Sequence, residues 1–172
     1  MLLASPLAVP LLLLGAFYGF AGVVAARAAI TDGVLGAALA GISGGRPDRL
    51  ERERSLWLFA GAAVVGAGGL LLLIGSAMAA PVFLLSCLLQ GLHFALLSPR
   101  RYDRSEPVDP AGRRRSLQAF RLYLAATAFV LWAAANGVLR LPGQGSPWPL
   151  ALVGAVWLVA VGRGLWLLRG RA

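Results

Sequence analysis

The sequence predicts an all-α, polytopic membrane protein of five transmembrane helices, with its N-terminus outside and its C-terminus in the cytoplasm. Three observations predict this. The 172-residue chain is 59% hydrophobic and only 13% charged, with mean hydropathy +0.76. Soluble domains carry roughly 25% charged residues, and a core of this size cannot bury so much apolar surface. The apolar residues gather into runs near the ~20 residues that a helix needs to cross a bilayer. The segments joining those runs are alternately dense and poor in arginine.

The runs are 6–26, 56–75, 81–97, 117–138 and 148–168, and they form one transmembrane domain spanning 1–172. Ser5 suits the cap of the first run, and Pro6 its first helical position, where the missing N–H would have no partner anyway. Ala26-Arg27-Ala28 resembles a small-x-small cleavage site. However, no positive charge precedes the run, and it is too long for a signal-peptide apolar region, so a retained helix is expected. Within residues 31–45, Thr31-Asp32 suit a helix start and Gly44-Gly45 a stop, while Val34, Leu35, Ala38, Leu39 and Ile42 recur at helical spacing. That stretch is too short to cross, so it reads as an interfacial helix or an extension of the first. Asp48 with Arg52 and Arg49 with Glu53 are i,i+4 pairs, which make the charged segment a solvated helical turn leading into the second run. A docking surface for a partner is the functional alternative there.

The second run carries Gly61, Gly66, Gly68 and Gly69, which permit close helix approach. Gly75 to Ala80 is a short break, and Pro81 opens the third run, so the two form a tight hairpin. Pro99, Pro107 and Pro110 make the loop 98–116 irregular. After the fourth run, Pro142, Gly143 and Gly145 form a link, and Ser146-Pro147 repeats the cap-and-proline start before Trp148. No internal repeat emerges.

Arginine counts fix the orientation. The connector 27–55 holds five, 76–80 none, 98–116 six, the fourth connector only Arg140, and the tail Arg169 and Arg171. Positive-inside topology requires this alternation, and removing any span would put a dense connector outside. All seven acidic residues lie in the same two dense connectors. Trp57, Tyr102, Tyr123 and Trp166 fall at the inner boundary and Trp148 at the outer. The net charge of +9 therefore reports topology rather than nucleic acid binding. The basic inner face should attract anionic lipid headgroups. All 16 basic residues are Arg, which fits a GC-rich bacterial genome and thus a bacterial inner membrane.

Polar residues inside spans are costly and are the first candidates for function. Ser86, Gln90 and His93 lie within about 60° on one face of the third helix. They read either as a polar path or ligand site, or as interhelical hydrogen bonding. His93, Arg121 and Arg163 stand at a similar depth, roughly 6–8 Å below the inner boundary at 1.5 Å per residue. They are candidates for an anion or lipid-phosphate tier, with separate snorkelling as the alternative. Gly15-x-x-x-Gly19 with Gly22, and Ala62-x-x-x-Gly66, are helix-packing faces expected to pair within the bundle. Asn136 is expected to bond a neighbouring helix or loop.

Catalytic chemistry finds little support. Cys87 is the only cysteine and His93 the only histidine, which excludes an internal disulfide, a CxxC motif and a bis-histidine haem site. A His/Met haem pair would need Met78, at the opposite end of the same span. Cys87 and His93 point about 120° apart on one helix, and no HExxH or P-loop occurs. No catalytic residue, metal or cofactor is therefore expected. The sequence reads best as a non-enzymatic subunit, scaffold or accessory partner of an inner-membrane assembly. Its partners would be the lipid bilayer and either another membrane protein or further copies of itself. A small oligomeric transporter or channel lined by the third-helix stripe comes next, and a lipid-handling enzyme third.

Overall fold

The computed structural model describes residues 6–44, 49–95, 110–141 and 147–169, and these are helical except at connectors. The helices are α1 (Ala8–Ile42), α2 (Arg49–Leu73), α3 (Ala79–Leu92), α4 (Pro110–Ala135) and α5 (Trp148–Arg169). No strand occurs among the described residues. Four helices, α1, α2, α4 and α5, are long and apolar enough to cross a membrane; α3 with its tail, Ala79–Ala95, is shorter.

α1 is one helix of 35 residues, about 52 Å at 1.5 Å per residue, against ~30 Å for a hydrocarbon core. Residues 31–42 are therefore an extension of the first helix. The extension runs beside the first turns of α2, where Gly33 faces Ser55 and Gly36 faces Glu51. It stops at Gly44, whose φ of +70° suits a residue without Cβ. α2 starts seven residues before the apolar run because the charged stretch is itself helical, with Arg49 Nε 3.3 Å from Glu53 Oε1. Both groups lie near the surface, so that pair contributes only a few tenths of a kcal/mol.

α1 and α2 form an antiparallel hairpin whose backbones touch. Gly15 lies against Gly69 and Leu73, Gly19 against Gly69 and Leu70, and Gly22 against Gly66 and Ala62. A methyl placed on Gly22 would sit 2.5 Å from the Gly66 Cα and 2.9 Å from the Ala62 carbonyl oxygen. The two small-residue faces named from the sequence thus meet each other within the chain.

The remaining helices dock on this pair. Gly68 leaves room for Phe83 of α3, and Gly66 receives the ring of Trp157 of α5. Gly164 of α5 sits on Phe59, and Gly33 of α1 meets Leu168. α5 therefore runs parallel to α1 and antiparallel to α2. α4 packs on α3, and Tyr18 of α1 reaches both Phe83 and Tyr123, with ring centroids 5.6 and 5.1 Å away. Leu11, Leu72, Phe83 and Val130 are fully buried in this core. Tyr123 belongs to it as well, at 4% exposure, and so does not join the boundary aromatics with which the sequence grouped it.

α2 and α4 end alike. Ser76 N–H donates to Leu71 O and Gly75 N–H to Leu72 O; Val138 N–H donates to Ala133 O and Gly137 N–H to Ala134 O. Gly75 and Gly137 have φ of +69° and +70°. Both are glycine-closed helix ends of the Schellman type. The strands of chain that follow are then tied together, with Ala77 N–H donating to Arg140 O and Arg140 N–H to Gly75 O, each 2.8 Å. The connectors after α2 and α4 consequently share one end of the bundle.

These contacts give a sharp prediction. Gly22→Ala or Gly66→Ala should lower stability by about 1–3 kcal/mol, because the new methyl meets backbone or a bulky ring. Gly61→Ala, which meets nothing within 4 Å, should leave stability unchanged or slightly higher. Equilibrium unfolding in detergent micelles checks the contrast.

Candidate functional site

The polar residues of α3 divide between two surroundings. Ser86 is 1% exposed and accepts a hydrogen bond from Gln90 Nε2 at 3.2 Å. Together with Thr127, Ser86 flanks the Tyr123 phenol, and Cys87 lies beside Thr127. Thr127 Oγ1 donates to the Tyr123 carbonyl at 2.8 Å. The buried Tyr123 hydroxyl itself makes no hydrogen bond of normal geometry among the described residues. His93, in contrast, stacks on Trp57 of α2 at 6.3 Å and meets the edge of Phe94 at 5.7 Å. The helix widens to a π turn at residues 93–95. Ser86 and Gln90 are thus part of a polar patch shared with α4, whereas His93 belongs to the seam with α2. Cys87 and His93 have different neighbours and form no dyad.

The tier of His93, Arg121 and Arg163 is not assembled. Arg121 is exposed on α4, next to Phe120, which packs on Phe94 with centroids 5.4 Å apart. Arg163 borders a groove between α1, α2 and α5 that is also lined by Phe59 of α2. Trp57 and Phe59 are two residues apart, so they project about 200° apart around α2. His93 stacks on the first and Arg163 lies by the second, which puts α2 between them. Depth along a helix follows from the sequence, but the direction around it follows from which helices pair.

Arg163 has a different cationic neighbour, Arg27 of α1. Both arginines line the groove with the Thr31 hydroxyl, and its volume is about 620 Å³. Both side chains are exposed, and neither forms an ion pair among the described residues. Among the described residues no three His, Cys, Asp or Glu side chains gather as metal ligands. Asn136 Nδ2 donates to Trp132 O at 2.8 Å, so it bonds its own helix rather than a neighbour or loop.

Sequence reasoning did not pick out Tyr18, Tyr123, Thr127 and Arg27. The spacing of Tyr123 and Thr127, four residues apart on α4, was the available signal for a polar face turned toward α3. Arg27 read only as a topology charge, since nothing in the sequence brings α5 beside α1.

The buried phenol makes a test. Tyr123→Phe should keep stability within about 1 kcal/mol, because the hydroxyl, though flanked by Ser86 and Thr127, makes no hydrogen bond of normal geometry. Tyr123→Ala should cost about 3–5 kcal/mol through the cavity left beside Tyr18 and Phe83. Denaturant unfolding of both variants in micelles reads the difference. No family model matches the chain, and no curated protein or solved structure is significantly similar to it.

Proposed function

We propose that the chain crosses a bacterial inner membrane five times, N-out and C-in, and serves as a non-enzymatic subunit, scaffold or accessory partner of a membrane assembly. One observation carries the functional part. The hydrogen-bonded polar side chains within the spans bond along their own helices: Gln90 to Ser86, Thr127 to the Tyr123 carbonyl, Asn136 to the Trp132 carbonyl. Groups arranged for transport or catalysis converge on a shared point from several helices. These bonds stay within single helices, and where Ser86 of α3 meets Tyr123 and Thr127 of α4 the groups are hydroxyls, with no carboxylate or imidazole among them, which supports a packing role.

Two observations support the topology. The arginine-poor connectors at Gly75 and Arg140 are hydrogen-bonded to each other, which fits their lying on one side of a bilayer. The arginine-dense segments leave the helices at the other end, as positive-inside topology demands. Residues 79–95 give α3 about 25 Å of helix, enough to cross with modest local thinning of the bilayer.

A fluorescent protein fused after Ala172 should fluoresce, and an alkaline phosphatase inserted near Gly143 should be active, as expected for inner and outer sides respectively. A C-terminal fusion active only outside the cytoplasm would overturn the topology. Purification in mild detergent should yield a complex of fixed stoichiometry, and Gln90→Leu should leave that complex intact. Recovery of a lone monomer would overturn the assembly reading.

A further inference from the structure

The groove between α1, α2 and α5 has a small residue from each helix in its lining, among larger apolar ones. Ala26 of α1, Ala63 of α2 and Ala160 of α5 line it, with the large rings of Phe59 and Trp157 beside them. Its volume of about 620 Å³ is within the range, roughly 300–1,000 Å³, of pockets that hold small molecules. The charged groups of its lining are two guanidiniums, Arg27 and Arg163, and no acidic side chain lines it. Their levels match. α1 and α5 run parallel with Ile30 beside Gly164, so Arg27 stands level with residue 161, about 3 Å along the axis from Arg163. Thr31 stands one turn beyond Arg27, with its hydroxyl donating to the Arg27 carbonyl at 3.0 Å.

We propose that this groove binds one anionic phospholipid from the leaflet at the arginine-dense end. Its phosphate is held by Arg27 and Arg163, and an acyl chain lies against Ala63, Ala160 and Trp157. The two chemical halves of the groove match the two halves of such a lipid. Guanidinium groups bind phosphate oxygens by paired, charge-assisted hydrogen bonds, and the apolar wall toward the bilayer centre offers the chain a surface like its own. The proposal uses only the bilayer-spanning part of the reading above and is independent of any assembly role.

Native mass spectrometry of the delipidated chain in micelles tests it, with dioleoyl phosphatidylglycerol and dioleoyl phosphatidylcholine as probes. The wild-type chain should retain the anionic lipid at least about tenfold better, because the choline cation of the zwitterionic probe offsets its phosphate charge and brings a like charge to the two arginines. Arg27→Gln with Arg163→Gln should weaken retention about thirtyfold, whereas Arg114→Gln with Arg115→Gln, of equal charge change, should not. Ala160→Trp should expel the lipid while both arginines remain. Excess inorganic phosphate should not displace it, because phosphate lacks the chain.

Equal retention of both lipids by the wild-type chain overturns the proposal, as does displacement by inorganic phosphate, which would mark a free-anion site. Undiminished retention by the Arg27/Arg163 variant also overturns it. If that variant does not fold, the wild-type preference and the Ala160→Trp result still decide. A chain that keeps a protein complex yet shows no lipid preference sinks this proposal alone; a lone monomer that retains the anionic lipid sinks only the assembly reading.

Discussion

Backbone-to-backbone contact between α1 and α2 is the interaction on which the rest of the bundle is built. In lipid there is no hydrophobic gain from bringing two apolar helices together, so association depends on close van der Waals packing and hydrogen bonds. α2 meets that requirement on several sides at once. Gly69 faces α1, Gly66 faces α1 and α5, and Gly68 faces α3. Successive residues turn by about 100°, so three glycines within four positions open notches around most of the helix. Each partner supplies what its notch lacks: backbone from α1, the Phe83 ring from α3, the Trp157 ring from α5. A helix with side chains at those positions would hold one neighbour and keep the others at a distance.

The same constraint explains the outward faces. Val9, Leu13, Phe17 and Phe20 of α1, Leu122 and Trp132 of α4, and Leu152, Val156 and Val159 of α5 are all exposed. In water that surface would drive aggregation; against lipid it is the ordinary exterior of a spanning bundle. The inward face carries the hydroxyls and amide of Ser86, Gln90, Tyr123 and Thr127. Unpaired polar groups are far costlier in hydrocarbon than in water, and turning them inward spares them contact with lipid tails.

Much of this fold was legible from composition and spacing. The helical character, the glycine faces, the short turn after α2 and the stop at Gly44 follow from local rules. The helix starts were less so. The charged turn read before Leu56 is where α2 begins, at Arg49, but the sequence kept 98–116 as an irregular loop, whereas α4 starts at Pro110. Hydrogen bonding along a helix does not end where lipid does, and charged turns with i,i+4 partners continue it in water. The candidate site was the least legible part. A 1.5 Å rise per residue turns sequence position into depth, and the tier of His93, Arg121 and Arg163 was read from that alone. Direction around each helix depends on tertiary pairing. Tyr123 shows the same limit: a tyrosine near a span end suits a boundary belt by composition, yet here Tyr18 and Phe83 enclose it.

The two arginines at the α1–α5 groove pose an electrostatic problem that local structure leaves open. Arg121 is exposed on α4, away from this groove. Arg27 and Arg163 border one groove at nearly one level, beside the apolar interior of the bilayer, where like charges repel more strongly than in water. Protein groups usually resolve such a pair with a carboxylate. No acidic side chain lines this groove, and Glu51 faces Gly36. The proposed lipid headgroup supplies a countercharge of the right sign at that height. The alanines that hollow the groove beneath the guanidiniums leave space for the chain that such a headgroup carries, so the charge and the cavity are two consequences of one arrangement of helices.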